Sequence, residues 1–254
     1  LTIAAGPAAV HGTTMPRILL EAACETVDDA LAATAGGADR IELCSALDLD
    51  GLTPSVGLYR EVRSATPLPI VVMLRPRSGD FVYSDADLRA LRNDLDQFRS
   101  LEPNAVIFGI LTRDGMIDEA RCSDLIQLAR GVPCVFHRAF DLCRDRSSGL
   151  ESLIRIGFRR VLTSGGAEKA SDGVSILREL NDLAAGRIEI LPGGGIRAGS
   201  AAAIVAATGC RQLHASFAED IPESREINRL GSPLRRRVSR DQVAATRAAV
   251  DKIK

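Results

Sequence analysis

From Arg17 onward the chain repeats one unit: a short apolar run of strand length, a loop, and a longer stretch with helical spacing. The apolar runs predict eight strands, at 17–22, 39–43, 70–74, 104–108, 134–137, 160–162, 187–191 and 211–215. The helical stretches have readable ends. Thr26 is placed to cap a helix carrying Val27, Ala30 and Leu31 that Gly36-Gly37 terminates, and Ser84 to cap one carrying Leu88, Leu91, Leu95 and Phe98. Further helices are predicted at 118–130, 147–156, 171–184 and 199–207, within 56–65, and at 241–254 as the closing element. Strands that alternate with helices pair in parallel through right-handed crossovers, and eight such units close into a (β/α)8 or TIM barrel. The α/β alternative is an open doubly wound sheet, but the turn after the first strand reads Cys24-Glu25-Thr26, without the Gly-x-Gly-x-x-Gly of a dinucleotide fold.

No internal linker divides the pattern, so residues 15–254 are expected to form one barrel domain. Residues 1–14 are rich in Ala, Gly and Thr, lack Lys and Arg, and precede Met15-Pro16. They lack the basic start of a secretory signal and read as a flexible N-terminal extension, with Met15 a natural start and His11 outside the patterned chain. Beyond Phe217 the pattern is less regular. There Arg235-Arg236-Arg237 with Arg240 reads as a solvated or subunit-contacting patch, since a formal net charge of -1 recommends neither nucleic acid nor an acidic membrane as partner. With 254 residues, 46% hydrophobic and 26% charged, the chain can bury a sizeable core, and its apolar runs fall far short of the about 20 residues that cross a bilayer. Cys24, Cys44, Cys122, Cys134, Cys143 and Cys210 are scattered without CxxC pairing, which makes a reducing cytoplasm the expected setting.

In a barrel, the C-terminal strand ends and the loops after them build the site. Arg40-Ile41-Glu42-Leu43-Cys44 alternates, so Glu42 and Cys44 share one face and Ile41 and Leu43 the other. In the first strand Glu21 shares a face with Leu19 and Ala23, opposite Leu20, Ala22 and Cys24. Arg75 follows the third strand, His137-Arg138 ends the fifth, Thr163-Ser164-Gly165-Gly166 the sixth, and His214 and Ser216 the eighth. Acids are seldom buried alone, so Glu21 and Glu42 imply either structural pairs with Arg75 or Arg138, or a functional cleft. Glu42 and His137 are candidate acid–base groups, and Arg75 and Arg138 candidate charge holders. Ser164, Gly165, Gly194 and Gly195, with His214 and Ser216, are candidate anion-binding residues, because glycines admit close backbone approach and amides leading into a helix at Gly199 can hold an anion. Tight turns alone would use the same glycines. A Cys44 thiolate could bind a soft ion such as Cu(I), although one thiol does not make a tight site. No Ser-His-Asp order, zinc-ligand spacing or Walker loop names a reaction.

Several segments, in order, resemble the CutC copper-homeostasis family: Arg40–Cys44, Gly51-Leu52-Thr53-Pro54-Ser55, Arg75-Pro76-Arg77 with Gly79-Asp80-Phe81, Phe136–Asp141, and Leu162-Thr163-Ser164-Gly165. The resemblance runs from about Met15 to Phe217. It implies a cytoplasmic (β/α)8 barrel, commonly homo-oligomeric, associated with copper tolerance and proposed to bind Cu(I), with no well-established reaction. It also implies two cysteine ligands, at the ends of the first two strands. Cys44 matches the second, whereas the first falls on Ala23, and neighbouring Cys24 faces the other way unless the strand has already bent. Two expectations result. One is a copper-homeostasis protein whose Cu(I) contact centres on Cys44, with Cys24 or a nearby His; the other is a barrel enzyme using acid–base chemistry on a small anionic or phosphorylated substrate.

Overall fold

A computed structural model describes residues 17–222 and 234–253. The expected 1–14 extension lies outside them. The strands β1 (Leu19–Cys24), β2 (Arg40–Leu43), β3 (Ile70–Met73), β4 (Ala105–Phe108), β5 (Cys134–Phe136), β6 (Arg160–Thr163), β7 (Glu189–Pro192) and β8 (Gln212–Ala215) pair in parallel in the order β7-β6-β5-β4-β3-β2-β1-β8. A parallel bridge from Gly193, just past β7, to His214 of β8 joins the two ends, and the sheet becomes a TIM barrel.

The helices α1 (Val27–Gly36), α2 (Val56–Ala65), α3 (Asp85–Arg99), α4 (Glu119–Leu128), α5 (Arg146–Ile156), α6 (Val174–Ala184), α7 (Ala198–Thr208) and α8 (Arg240–Val250) alternate with the strands. Thr26 and Ser84 cap α1 and α3 as expected, each in a reciprocal box with Asp29 or Asp87, and Gly37 ends α1 in the left-handed region at φ 89°.

Strand parity sorts the core into two clusters. Leu20, Ala22, Cys24, Ile41, Leu43, Val72, Val106, Phe108 and Phe136 pack outward against the helices. Residues of the other parity, Val71, Met73, Ala105, Ile107, Val135, Leu162 and Leu191, fill the barrel together with Cys44. On the β1, β2 and β8 side the inward positions include the polar Glu21, Arg40, Glu42, Gln212 and His214.

After β8 the chain turns at Phe217, a buried residue held at φ 47°, a conformation bulky side chains rarely adopt. It then forms a hairpin of β9 (Ala218–Pro222) and β10 (Leu234–Val238). Sequence patterning anticipates no strand here, because adjacent charged residues, Glu219-Asp220 in one arm and Arg235-Arg236-Arg237 in the other, interrupt apolar alternation. Cross-strand pairing of Glu219 with Arg237 (2.9 Å) replaces the apolar signal.

Asp29 binds this hairpin to the barrel. Its Oδ2 accepts from the amides of Glu25 (3.2 Å) and Thr26 (3.1 Å), while its Oδ1 accepts from the Val238 amide at 2.8 Å. Asp29→Ala removes the acceptor for all of these, and is expected to cost about 1–3 kcal/mol in a urea titration with an unchanged slope. The exposed neighbour Asp28→Ala should stay within about 0.5 kcal/mol of wild type.

Candidate functional site

Parallel register sets Glu21 of β1 beside both Arg40 of β2 and His214 of β8. Glu21 is 1% exposed, yet both carboxylate oxygens are engaged. Arg40 Nε donates to Oε2 as an ion pair, and His214 Nδ1 lies 2.9 Å from Oε1. Burial pushes the Glu21 carboxyl up, but Arg40 and His214 outweigh it and hold the group well below the usual carboxylate range. The chain of contacts continues away from the mouth. Arg40 donates to Gln212 Oε1 (3.0 Å), Gln212 to Glu189 Oε2 (3.2 Å), and Arg160 to the same oxygen (2.9 Å). The partner of Glu21 is therefore Arg40, not Arg75 or Arg138. Arg40 shares strand parity with Glu42, so the alternation that places Glu42 inside the barrel also places Arg40 there.

Glu42 is 3% exposed, and its Oε2 stands 4.0 Å from His214 Nδ1 with no hydrogen-bond partner among the described residues. Burial pushes its carboxyl up to about 7, with the Glu21 charge adding to this against the pull of His214 and Arg40. The His214 ring is pushed down by burial, but Glu42 and Glu21 more than reverse this and leave it raised.

Glu42 and His214 open into a cavity of about 460 Å³ at the C-terminal mouth of the barrel. Arg75, Phe81, His137, Arg138, Gly194, Gly195, Ser216 and Arg236 also line it. His137 is buried against Phe81, with ring centres 4.8 Å apart, and the Ala139 amide donates to its Nδ1 (3.2 Å). Burial and the nearby Arg75 cation push this histidine down to about 3, so it is neutral at physiological pH. A ring whose Nδ1 accepts carries its proton on Nε2, and that atom has no partner among the described residues. Gly109 makes room for this ring, since a Cβ there would lie 2.6 Å from its Cε1 and Nδ1. Arg75, 2% exposed, donates to the carbonyls of Leu49 (2.6 Å), Gly51 (3.1 Å) and Gly79 (2.9 Å).

The sixth-strand loop has a different role from the one expected of it. The Ser164 and Gly166 amides, with the Thr163 and Ser164 hydroxyls, already donate to the carboxylate of Asp141, which also pairs with Arg138 Nε at 2.8 Å. Ser164 thus belongs to a nest filled by the chain's own anion and the Gly165 amide donates to Thr163 Oγ1 (2.9 Å), while Gly194, Gly195, His214 and Ser216 face the cavity. The two thiols part company as well. Cys44 lies in the inner cluster, whereas Cys24 lies in the outer one, with the backbone carbonyl of Cys24 rather than its sulfur against Cys44 Sγ (3.7 Å). Arg236, expected from the sequence in a solvated or subunit-contacting patch, is brought to the mouth by the hairpin, and Gly109, a glycine directly after an apolar strand, is a functional position the sequence pattern does not single out.

The CutC family model matches residues 18–219. The chain belongs to the CutC family. A human copper homeostasis protein cutC homolog is 41% identical over 198 residues, covering 78% of this chain and 72% of that protein. A CutC family protein of Sinorhizobium medicae is 41% identical over 240 residues, covering 93% and 98%. The crystal structure of CutC from Streptococcus agalactiae superposes with a TM-score of 0.75 at 34% identity, covering 78% of this chain and 98% of that one. The CutC match takes in every barrel strand and each mouth residue except Arg236.

The neutral His137 gives a signed pH dependence. Between its ordinary value of 6.5 and its folded value of about 3, the unfolded chain binds a proton that the folded chain does not, so stability falls as pH drops through that window. His137→Gln is expected to flatten the Tm–pH curve between about pH 6.5 and about pH 4 relative to wild type, as followed by circular dichroism.

Proposed function

We propose that this CutC family member is an enzyme that moves protons on a small anionic substrate at the mouth of its barrel, and that its part in copper homeostasis runs through that chemistry. The observation carrying the reading is one cavity that combines a carboxyl poised near 7, Glu42, with the cationic groups Arg75, Arg138 and Arg236. A group with that poise exists in both protonation states at neutral pH and can accept or return a proton at little cost. His214, held by Glu21, stands beside it as proton partner. The guanidinium groups, with Ser216 and the backbone at Gly194 and Gly195, supply charge and donors for the anion. The six unpaired cysteines support a cytoplasmic setting, and the exposed Leu49 and Leu142 on the mouth loops support a homo-oligomer. No helix among the described residues is long and apolar enough to cross a membrane.

A specific contact favours direct Cu(I) binding as a second reading. A methyl group on Gly51 would sit 3.4 Å from Met73 Cε and 3.7 Å from Cys44 Sγ, so a thioether and a thiol, both soft donors, pack against one position. Cys24 would contribute nothing from its outer layer. Burial and the neighbouring acids push the Cys44 thiol well up, so metal binding would have to release its proton.

A thermal-shift series with inorganic phosphate, small carboxylates and chelated Cu(I) separates the readings. Anions are expected to raise Tm by binding the folded state, and Arg138→Ala to weaken them at least about tenfold. Cu(I) retention against a chelator should be unchanged in Cys44→Ser. No response to any anion, together with Cu(I) retention that depends on Cys44, would transfer the conclusion to the second reading.

A further inference from the structure

Two buried donors in the mouth have nothing to donate to. His137 Nε2 and Arg75 Nε are both shielded from solvent and without a hydrogen-bond partner among the described residues. An unsatisfied buried donor costs about 1–3 kcal/mol, and more when it is charged, so a pair of them in one cavity calls for an acceptor. Arg75 also lacks a counter-carboxylate. Its other contacts are backbone carbonyls, the Tyr83 hydroxyl and the Phe81 ring, and no described carboxylate lies within 4.0 Å of it, whereas Arg40 and Arg138 each hold one. Both donors rest on the Phe81 ring, whose centre is 4.8 Å from the Arg75 guanidinium carbon and 4.8 Å from the His137 ring centre. That apolar wall strengthens any charge interaction formed there.

The same cavity holds the converse defect. Glu42 Oε2 is a buried acceptor without a donor. For a site that only holds an anion, a carboxylate in the wall is a liability. For a site that removes a proton from carbon and receives the resulting negative charge on oxygen, it is required. We propose that His137 Nε2 and Arg75 Nε bind the carbonyl oxygen of the substrate, and that Glu42 removes the proton from the adjacent carbon, making the substrate a small carboxylate or phosphate ester with an enolisable carbonyl. The inference rests on the acid–base reading above and narrows it.

The step balances within the cavity. The C–H proton passes to the Glu42 carboxylate, and the C–H electron pair becomes the C=C bond. The carbonyl π pair moves to oxygen, and the oxyanion is held by the neutral His137 N–H and the Arg75 cation. Returning the proton to the same carbon completes a hydrogen exchange; where that carbon carries a hydroxyl, passing the hydroxyl proton to the oxyanion and the Glu42 proton to the former carbonyl carbon completes an isomerisation, in either case with no redox partner. A neutral imidazole suits the donor role because it can stabilise the oxyanion without surrendering a proton outright.

Isothermal titration with glycolohydroxamate, a planar enediolate mimic, tests this against glycolate and inorganic phosphate. Wild type is expected to bind the hydroxamate at least about a hundredfold more tightly than glycolate, as an enzyme prefers a mimic of its reactive intermediate. His137→Phe should erase that preference, and His137→Gln, which keeps an N–H donor, should restore part of it. Equal affinity for hydroxamate and glycolate in wild type would overturn the oxyanion pair and leave the broader anion reading standing. Binding of none of the three would overturn both. Should His137→Phe fail to fold, the wild-type ratio and the His137→Gln protein still decide.

Discussion

The ion pair of Glu21 with Arg40, completed by His214, is the contact on which the mouth depends. It stands inside the barrel, where branched aliphatic side chains commonly fill the layers. A charged carboxylate at 1% exposure survives there only because both of its oxygens are engaged. Once Glu21 is fixed as an anion, its neighbours follow. His214, facing Glu42 and held toward Glu21, is favoured in its charged form, and Glu42, pushed up first by burial, is driven further toward its protonated form by the Glu21 charge. Two carboxylates on adjacent strands acquire opposite characters from one arrangement of burial and charge. Arg40 donates in turn to Gln212, from which the polar chain runs on to Glu189 and Arg160.

Much of this was legible in the sequence, because parallel strands buried on both faces leave apolar runs and helices leave caps. The alternation in Arg40–Cys44 placed Glu42 at the inner surface, and the strand-end histidines, His137 and His214, both reach the mouth. What stayed hidden was pairing across strands. Glu21 meets Arg40 through register, which a single strand does not encode. The β9–β10 hairpin was unreadable because its arms are held by cross-strand charge rather than by apolar alternation, and Arg236 went with it.

The histidines also show why glycines gather at this end of the barrel. Gly109 lies under the His137 ring, where a Cβ would stand 2.6 Å from ring atoms, and a Cβ at Gly193 would meet His214 tightly at 3.3 Å and the Leu162 side chain at 2.5 Å. Close backbone approach, rather than phosphate binding, accounts for these two positions. Both rings line the cavity.

Asp141 carries a consequence for how such a site changes over time. The Ser164–Gly166 turn is an anion receptor in full working order that the protein keeps stoppered with its own side chain. Losing that one carboxylate would uncover a ready-made docking point for a second negative group beside Arg138. That one side chain is what keeps the donors of the turn, and Arg138 beside them, from facing any other anion.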